Sequence, residues 1–404
     1  MGPYQAIQVS EHVYWVGAID WRVRDFHGYS TERGSTYNAY LITGSEPILV
    51  DTVKRPFVGE MLARIGSVID PQKIRVLLSN HSEMDHSGSL PAVIERSQPE
   101  RLLASPMGVK TLAEHFELPL SPEAVPVGER LTIGDRTLFF AEARMLHWPE
   151  SMFSYLVDDR LFFSQDAFGM HLSSFERFCD ELSEQVIWHE AAKYYANILL
   201  PYSPMVAKAV AALPKTEIGE AELIAPDHGP IWRRDVWRIA ERYAEWAVQR
   251  PTRKAVIVYD TMWESTAKMA YAIAEGLQQG GARPRLVHLT TSNRSVLATE
   301  ILDAGALIVG SPTINNQLFP TLADGLSYLK GLRPKNLIGA AFGSYGWSGE
   351  SPRLIESALR EMKVDLVSEA QRVKYVPRAR DLEACAALGV RIAEKLGEIT
   401  EEEA

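Results

Sequence analysis

The stretch that most limits what this chain can fold into is LLSNHSEMDHSGSL, residues 77–90. His81, Glu83, Asp85 and His86 follow directly on the apolar run 74–78. Ionisable groups at the mouth of a buried strand are costly unless something compensates them, and a metal ion suits these donors. His81 and Glu83 stand two apart, so in an extended loop they point to one side and grip one position. Asp85 and His86 then face a neighbouring position. His147 in MLHWPES, Asp166 in LFFSQD and His228 in LIAPDHG repeat the setting, each just past an apolar, strand-like run. The set holds four imidazoles, three carboxylates and no thiolate, which suits iron or manganese as well as zinc. His12, His115, His171, His189 and His288 lie outside it and are read as structural.

At 404 residues the chain is too long for one ordinary core, so two domains are expected. Only Cys179 and Cys385 are present, which excludes a disulfide framework and any four-cysteine iron site within the chain. A formal charge of −10 argues against nucleic acid as a partner. No apolar run approaches the roughly 18 residues of a membrane span, and the start MGPYQAIQVS lacks a signal core and, with Ala6, the myristoylation pattern. A cytoplasmic protein without membrane attachment is expected. The terminal EITEEEA reads as a frayed acidic tail.

The pattern changes near Pro251, where helical periodicity gives way to a β-rich run. Before it, short strands are expected at 13–16, 37–42, 47–51, 74–78, 131–140 and 161–164, with helices at 57–67 and 185–199, a layered α+β fold. After it, strands at 255–259, 285–289, 306–310 and 338–343 alternate with helices at 265–279, 320–330, 351–362 and 381–397, which predicts a doubly wound parallel sheet. The expected domains are 1–250 and 254–400.

Three loops of the second half follow strands, where such sheets bind ligands. Thr261, Met262, Trp263, Ser265 and Thr266 form a hydroxyl-bearing loop at a helix start, an anion cradle without the lysine of a P-loop or the glycines of a dinucleotide fingerprint. A monophosphate fits it best. Ser311, Pro312, Thr313, Asn315 and Asn316 make the second loop, and Ser344, Tyr345, Gly346, Trp347, Ser348 and Gly349 the third. Trp263, Tyr345 and Trp347 are placed to flank a planar ring.

The metal motif resembles that of the metallo-β-lactamase superfamily, His-x-His-x-Asp-His, with Glu83 in place of the second histidine. With Asp166 bridging, three carboxylates and one hydroxide balance two divalent ions, as suits a pair about 3.5 Å apart. The three later loops resemble flavodoxin, which implies FMN. Together, with RDFHGYS, TYNAYL, MLHWPES and YYANI, they resemble the flavodiiron proteins of the rubredoxin:oxygen oxidoreductase type over nearly the whole chain. That resemblance implies an N-terminal αβ/βα sandwich and a C-terminal flavodoxin-like domain. It implies a diiron centre, with His81, Glu83 and His147 on one iron, Asp85, His86 and His228 on the other and Asp166 bridging. It places His27 and Tyr195 near the open face as proton or hydrogen-bond donors. It further implies reduction of O2 to water or NO to N2O, an external donor such as rubredoxin or a reduced deazaflavin, and a head-to-tail homodimer or dimer of dimers. Arg372, Lys374, Arg378 and Arg380 are a candidate docking patch for the donor. The rival reading is a zinc hydrolase of the lactamase superfamily carrying a flavodoxin module.

Overall fold

The structure is a computed structural model that describes residues 3–402. The Met1–Gly2 start and residues 403–404 of the acidic tail lie outside it. Two compact units divide the chain: 1–194 with 202–244, and 195–201 with 245–404.

Two sheets face each other in the first unit. One has seven strands in the order Ile7–Gln8, Val13–Trp15, Tyr40–Ile42, Ile48–Val50, Val76–Ser79, Arg101–Ala104, Pro122–Ala124. The other has five: Arg130–Ile133, Arg136–Glu142, Met152–Leu156, Leu161–Gln165 and Leu223–Pro226. Alternation along the strands decides the layers. Trp15, Tyr40, Val50 and Leu78 from the first sheet pack against Leu138, Phe140, Leu156 and Phe163 from the second. The opposite face of the first sheet, with Leu41, Leu49 and Leu77, is covered by the helices Val58–Gly66, Leu90–Ser97 and Pro106–His115. Behind the second sheet, Phe162 packs on Phe168 and Phe168 on Tyr243 of the helix Arg238–Val248.

Two expected strands are each broken. Residues 131–140 form a hairpin that turns at Gly134, whose φ is 57°. Residues 37–42 divide into Ser35–Tyr37, paired with Ala18–Asp20, and Tyr40–Ile42. The break falls at buried Asn38, whose side chain accepts from Trp15 Nε1 and donates to the carbonyls of Pro226 and Gly229. The expected helix 185–199 is α-helical over Glu184–Tyr194 and turns into a π-helical segment, Tyr195–Leu199. Helical structure over Glu184–Lys215 is apolar enough by length and mean hydropathy to cross a membrane, against the expectation from sequence. Part of it, including Ile187, Tyr194, Leu199 and Val206, is buried within the protein.

The second unit is a parallel sheet in the order Arg283–His288, Lys254–Tyr259, Ala306–Gly310, Ile338–Tyr345. A split fifth strand, Asp365–Leu366 and Gln371–Lys374, pairs with the two ends of Ile338–Tyr345. This is a flavodoxin-like doubly wound order. The C-terminal helix Ala379–Glu402 runs on through most of the expected tail. It packs on Ser265–Gln279 through Ile273, Leu277, Cys385 and Leu388.

Those two helices touch backbone to backbone. A Cβ on Gly276 would lie 1.9 Å from the Ala386 carbonyl oxygen, and one on Gly389 2.2 Å from that of Ile273. Gly276→Ala is therefore expected to force the pair apart and cost about 1–3 kcal/mol, the usual range for overpacking a dense core. Urea melts followed by circular dichroism would show the loss, and an unchanged midpoint would refute the close approach.

Candidate metal centre and cofactor cleft

Each candidate ligand sits where a strand ends. Val76–Ser79 lies between two parallel neighbours and leads into Asn80–Ser82. Glu83 then precedes the short helix Met84–Ser87, which carries Asp85 and His86. That turn is fixed by Asp51 Oδ1, which accepts from Asn80 N, and by Ser87 Oγ, which donates to Ser82 O. His147 stands between Arg136–Glu142 and Met152–Leu156, after a cis Leu146–His147 peptide. Asp166 and His228 follow Leu161–Gln165 and Leu223–Pro226.

The two oxygens of Asp166 face different groups. Oδ2 lies 2.9 Å from His147 Nε2 and 3.4 Å from His81 Nε2, whereas Oδ1 lies 3.2 Å from His86 Nε2 and 3.5 Å from His228 Nε2. Glu83 Oε2 joins the first group, 3.1 Å from His147 Nε2 and 3.3 Å from His81 Nε2. Asp85 Oδ2 joins the second, 3.2 Å from His228 Nε2 and 3.4 Å from His86 Nε2. These are two half-sites sharing one carboxylate.

Tautomers decide what the centre needs. His81 Nδ1 is 2.9 Å from Glu150 Oε1, and His228 Nδ1 is 2.6 Å from the Thr36 carbonyl. Both partners accept, so Nδ1 carries the proton and, in a neutral ring, Nε2 presents a lone pair. Those lone pairs face carboxylate oxygens, and His86 Nε2 faces His228 Nε2 at 3.2 Å. Such an arrangement is repulsive unless positive charge lies between. Without a cation, protons must supply it. Burial alone would lower the His81 imidazole, yet Asp166, Glu150 and Glu83 outweigh burial and hold it well above its usual range. His147 is pushed up to about 9 against its own burial, by Asp166 and Glu83. Burial would raise the Asp166 carboxyl, but His81 and His147 hold it well below. The donor set therefore fits a pair of cations, with oxygen and nitrogen ligands in both half-sites.

His86 is tied less firmly. Its Nδ1 makes no hydrogen bond and lies 3.7 Å from Asp227 Oδ2. The Asp227 carboxyl is pushed well up, by burial first and then by Asp51 and Asp166.

In the second unit a cleft of about 690 Å³ opens at the carboxyl ends of the strands. Trp263, Tyr345, Trp347 and Tyr375 line it, with Trp263 87% and Trp347 89% exposed. Large apolar rings left open to water on both sides of a cleft suit a planar ligand between them. In the loop after Lys254–Tyr259, Thr261 Oγ1 is buried without a hydrogen-bond partner, and no side chain caps the start of Ser265–Gln279. An unpaired buried hydroxyl beside an uncapped helix N-terminus suits a phosphate.

Residues 36–229 match the family described as ODP family beta lactamase, and residues 257–389 match flavodoxin. The chain is 44% identical to a nitric oxide reductase of Moorella thermoacetica, over 98% of this chain and 100% of that one. A solved rubredoxin oxygen:oxidoreductase from Desulfovibrio gigas superposes with a TM-score of 0.96 at 43% identity, covering 98% of this chain and 100% of the other. The chain belongs to the flavodiiron protein family. A solved flavodiiron protein from Giardia intestinalis superposes with a TM-score of 0.95 at 32% identity, with 100% of each chain covered.

In this flavodiiron chain the seven expected ligands meet at one place. His27 stands at the rim, its side chain 79% exposed and Nε2 3.8 Å from Glu83 Oε1. Tyr195 requires correction. Its ring packs on Trp246 within the second unit, whereas Tyr194 faces the cluster, 5.1 Å from His171 and 6.1 Å from His228 between ring centroids. Consecutive residues of a helix lie about 100° apart around its axis, so the two tyrosines point to different sides. The Tyr194 hydroxyl is buried and unpartnered. In the cleft, most of the expected flavin residues line the wall, but four do not. Thr261 is absent from the wall, its N–H donating to Asp260 Oδ1. Thr266 is tied to Ser344, Ser311 accepts from Phe319 N, and the Gly349 carbonyl accepts from Arg372. Arg372, read from sequence as part of a docking patch, also lies over Tyr345, and the following residues Tyr375 and Val376 add a wall that sequence reasoning missed.

Glu150 and Asn38 were also missed. A glutamate three residues after His147 and an asparagine inside TYNAYL were the available signals, since both must be partnered if buried. Glu150 Oε1 also accepts from Ser82 N, so it fixes both the ring and the loop of His81. Glu150→Gln is expected to weaken metal binding at the His81 half-site by about 10- to 100-fold. Competition with a chelator would measure it, and an unchanged affinity would show that the carboxylate charge is not needed.

Proposed function

We propose that the protein reduces O2 to water, NO to N2O, or both, at a pair of non-haem irons held by His81, Glu83, His147, Asp85, His86 and His228 with Asp166 between them. The observation that carries the reading is Asp166, with one oxygen in each half-site, together with Glu83 as a hard oxygen donor where a hydrolase motif has histidine. FMN binds in the aromatic cleft, its phosphate at the Thr261 and Ser265 end. Two ferrous ions at the paired donor sets and one reduced flavin in the cleft would together supply four electrons, enough to take O2 to two waters or two pairs of NO to N2O and water.

The chain's own groups supply the rest. His27 at the rim is positioned to pass protons from solvent, and the unpartnered Tyr194 hydroxyl offers a buried hydrogen bond beside His228. Electrons enter from an external carrier of the rubredoxin type. Glu83→His, which restores the hydrolase pattern, is expected to shift the centre from iron toward zinc and to abolish gas consumption while the protein stays yellow. Metal analysis with O2 and NO electrodes reads both effects. Unchanged iron and turnover would remove Glu83 from the ligand set, and zinc with esterase or thioesterase activity in the unmodified protein would favour the hydrolase.

Electron transfer needs the cofactors close, and we assign this to a head-to-tail homodimer in which each flavin serves the partner's metal pair. Exposed Met84 in the ligand loop and the open Trp263 and Trp347 at the cleft support such an interface. One homodimer carrying Asp85→Ala and another carrying Ser265→Glu with Trp347→Ala should each be inactive toward gas. Mixing them with subunit exchange, verified by mass, should restore activity in the heterodimer. Verified exchange without restoration would mean that electrons pass within one chain.

A further inference from the structure

Gln165 lies fully buried at the end of the strand Leu161–Gln165, where the register against Leu223–Pro226 shifts. Its φ of 48° is in the left-handed region that side chains other than glycine seldom occupy. Its polar groups are each committed to a different ligand-bearing segment. Nε2 donates to the carbonyl of Leu146, the residue before His147. Oε1 accepts from the amide of Asp166 at 2.6 Å. Its main-chain carbonyl accepts from Asp227 N at 2.9 Å, one residue before His228.

We propose that Gln165 is a positioning residue that holds the His147 loop and the shared carboxylate Asp166 in register, so that one side chain sets the geometry of both half-sites. The proposal rests on the reading of His147 and Asp166 as ligands. An amide side chain is needed because the position demands a donor toward a carbonyl and an acceptor toward an N–H at one end of one side chain. An ionised glutamate cannot donate, and methionine, of similar length, can do neither well. The left-handed backbone is retained because three hydrogen bonds over-determine it.

The test titrates the whole metal-stripped protein with cobalt(II), reading the d–d absorption at each equivalent and the affinity by chelator competition. The unmodified protein should bind two equivalents. Gln165→Met and Gln165→Glu should each lose about tenfold or more in affinity at both equivalents, with a changed d–d band and an unchanged flavin content. Two equivalents bound by the variants with unmodified affinity and spectrum would overturn the proposal. If the unmodified protein takes up no cobalt, the metal-centre reading fails and this inference with it. Should neither variant fold, hydrogen exchange in the metal-stripped unmodified protein decides. The Asp166 amide should be protected by Gln165 Oε1 before metal binds, and free exchange there would sink the idea.

Discussion

Asp166 is buried among four imidazoles, with one carboxylate oxygen turned to each pair. A lone carboxylate in that position would be costly, and neutral imidazoles offering lone pairs toward it would make matters worse. The cost is tolerable only if positive charge occupies the space between the donors. The imidazoles held up and the carboxylate held down are the same demand expressed through protons. The first unit is organised around meeting it. Glu150 and the Thr36 carbonyl orient two rings from behind, and Asn38 ties the first sheet to the turn that carries His228.

The sandwich delivers ligands to one place because the strands that bear them end at one edge. The edge is not regular. Asp51, Met145, Gln165 and Phe168 all have positive φ, at 53°, 63°, 48° and 67°. Such conformations cost free energy in residues with side chains and persist where surrounding contacts hold them. Here they lie next to ligand segments, where a regular strand would send every second side chain to the wrong face. Backbone strain is therefore concentrated at the turns that carry His147 and Asp166.

The flavodoxin-like unit meets a different requirement. Its cleft is lined by exposed rings, and the loop leading into it carries a buried, unpartnered hydroxyl, so apolar and polar features are both present at the strand ends. The sheet behind it is held by helices that approach through Gly276 and Gly389, a contact with no room for side chains.

The sequence by itself determined the chemistry of the two sites and the class of both domains. Ligand types and their spacing after apolar runs identify a metal pair, and alternating strands and helices identify the doubly wound sheet, because both signals are local. Tertiary structure alone decided which neighbouring side chains complete them. Nothing local distinguishes Tyr194 from Tyr195, since the choice depends on which side of the helix faces the histidine cluster. Glu150 and Asn38 act through partners tens of residues or more away in sequence, and Gln165 joins its neighbour Asp166 to the distant Leu146 and Asp227. Tyr375 and Val376 reach the aromatic cleft only because the split fifth strand pairs beside Ile338–Tyr345. A metal ligand carries its own chemical signature, whereas a residue that holds a ligand in place is defined by the long-range contacts that folding creates.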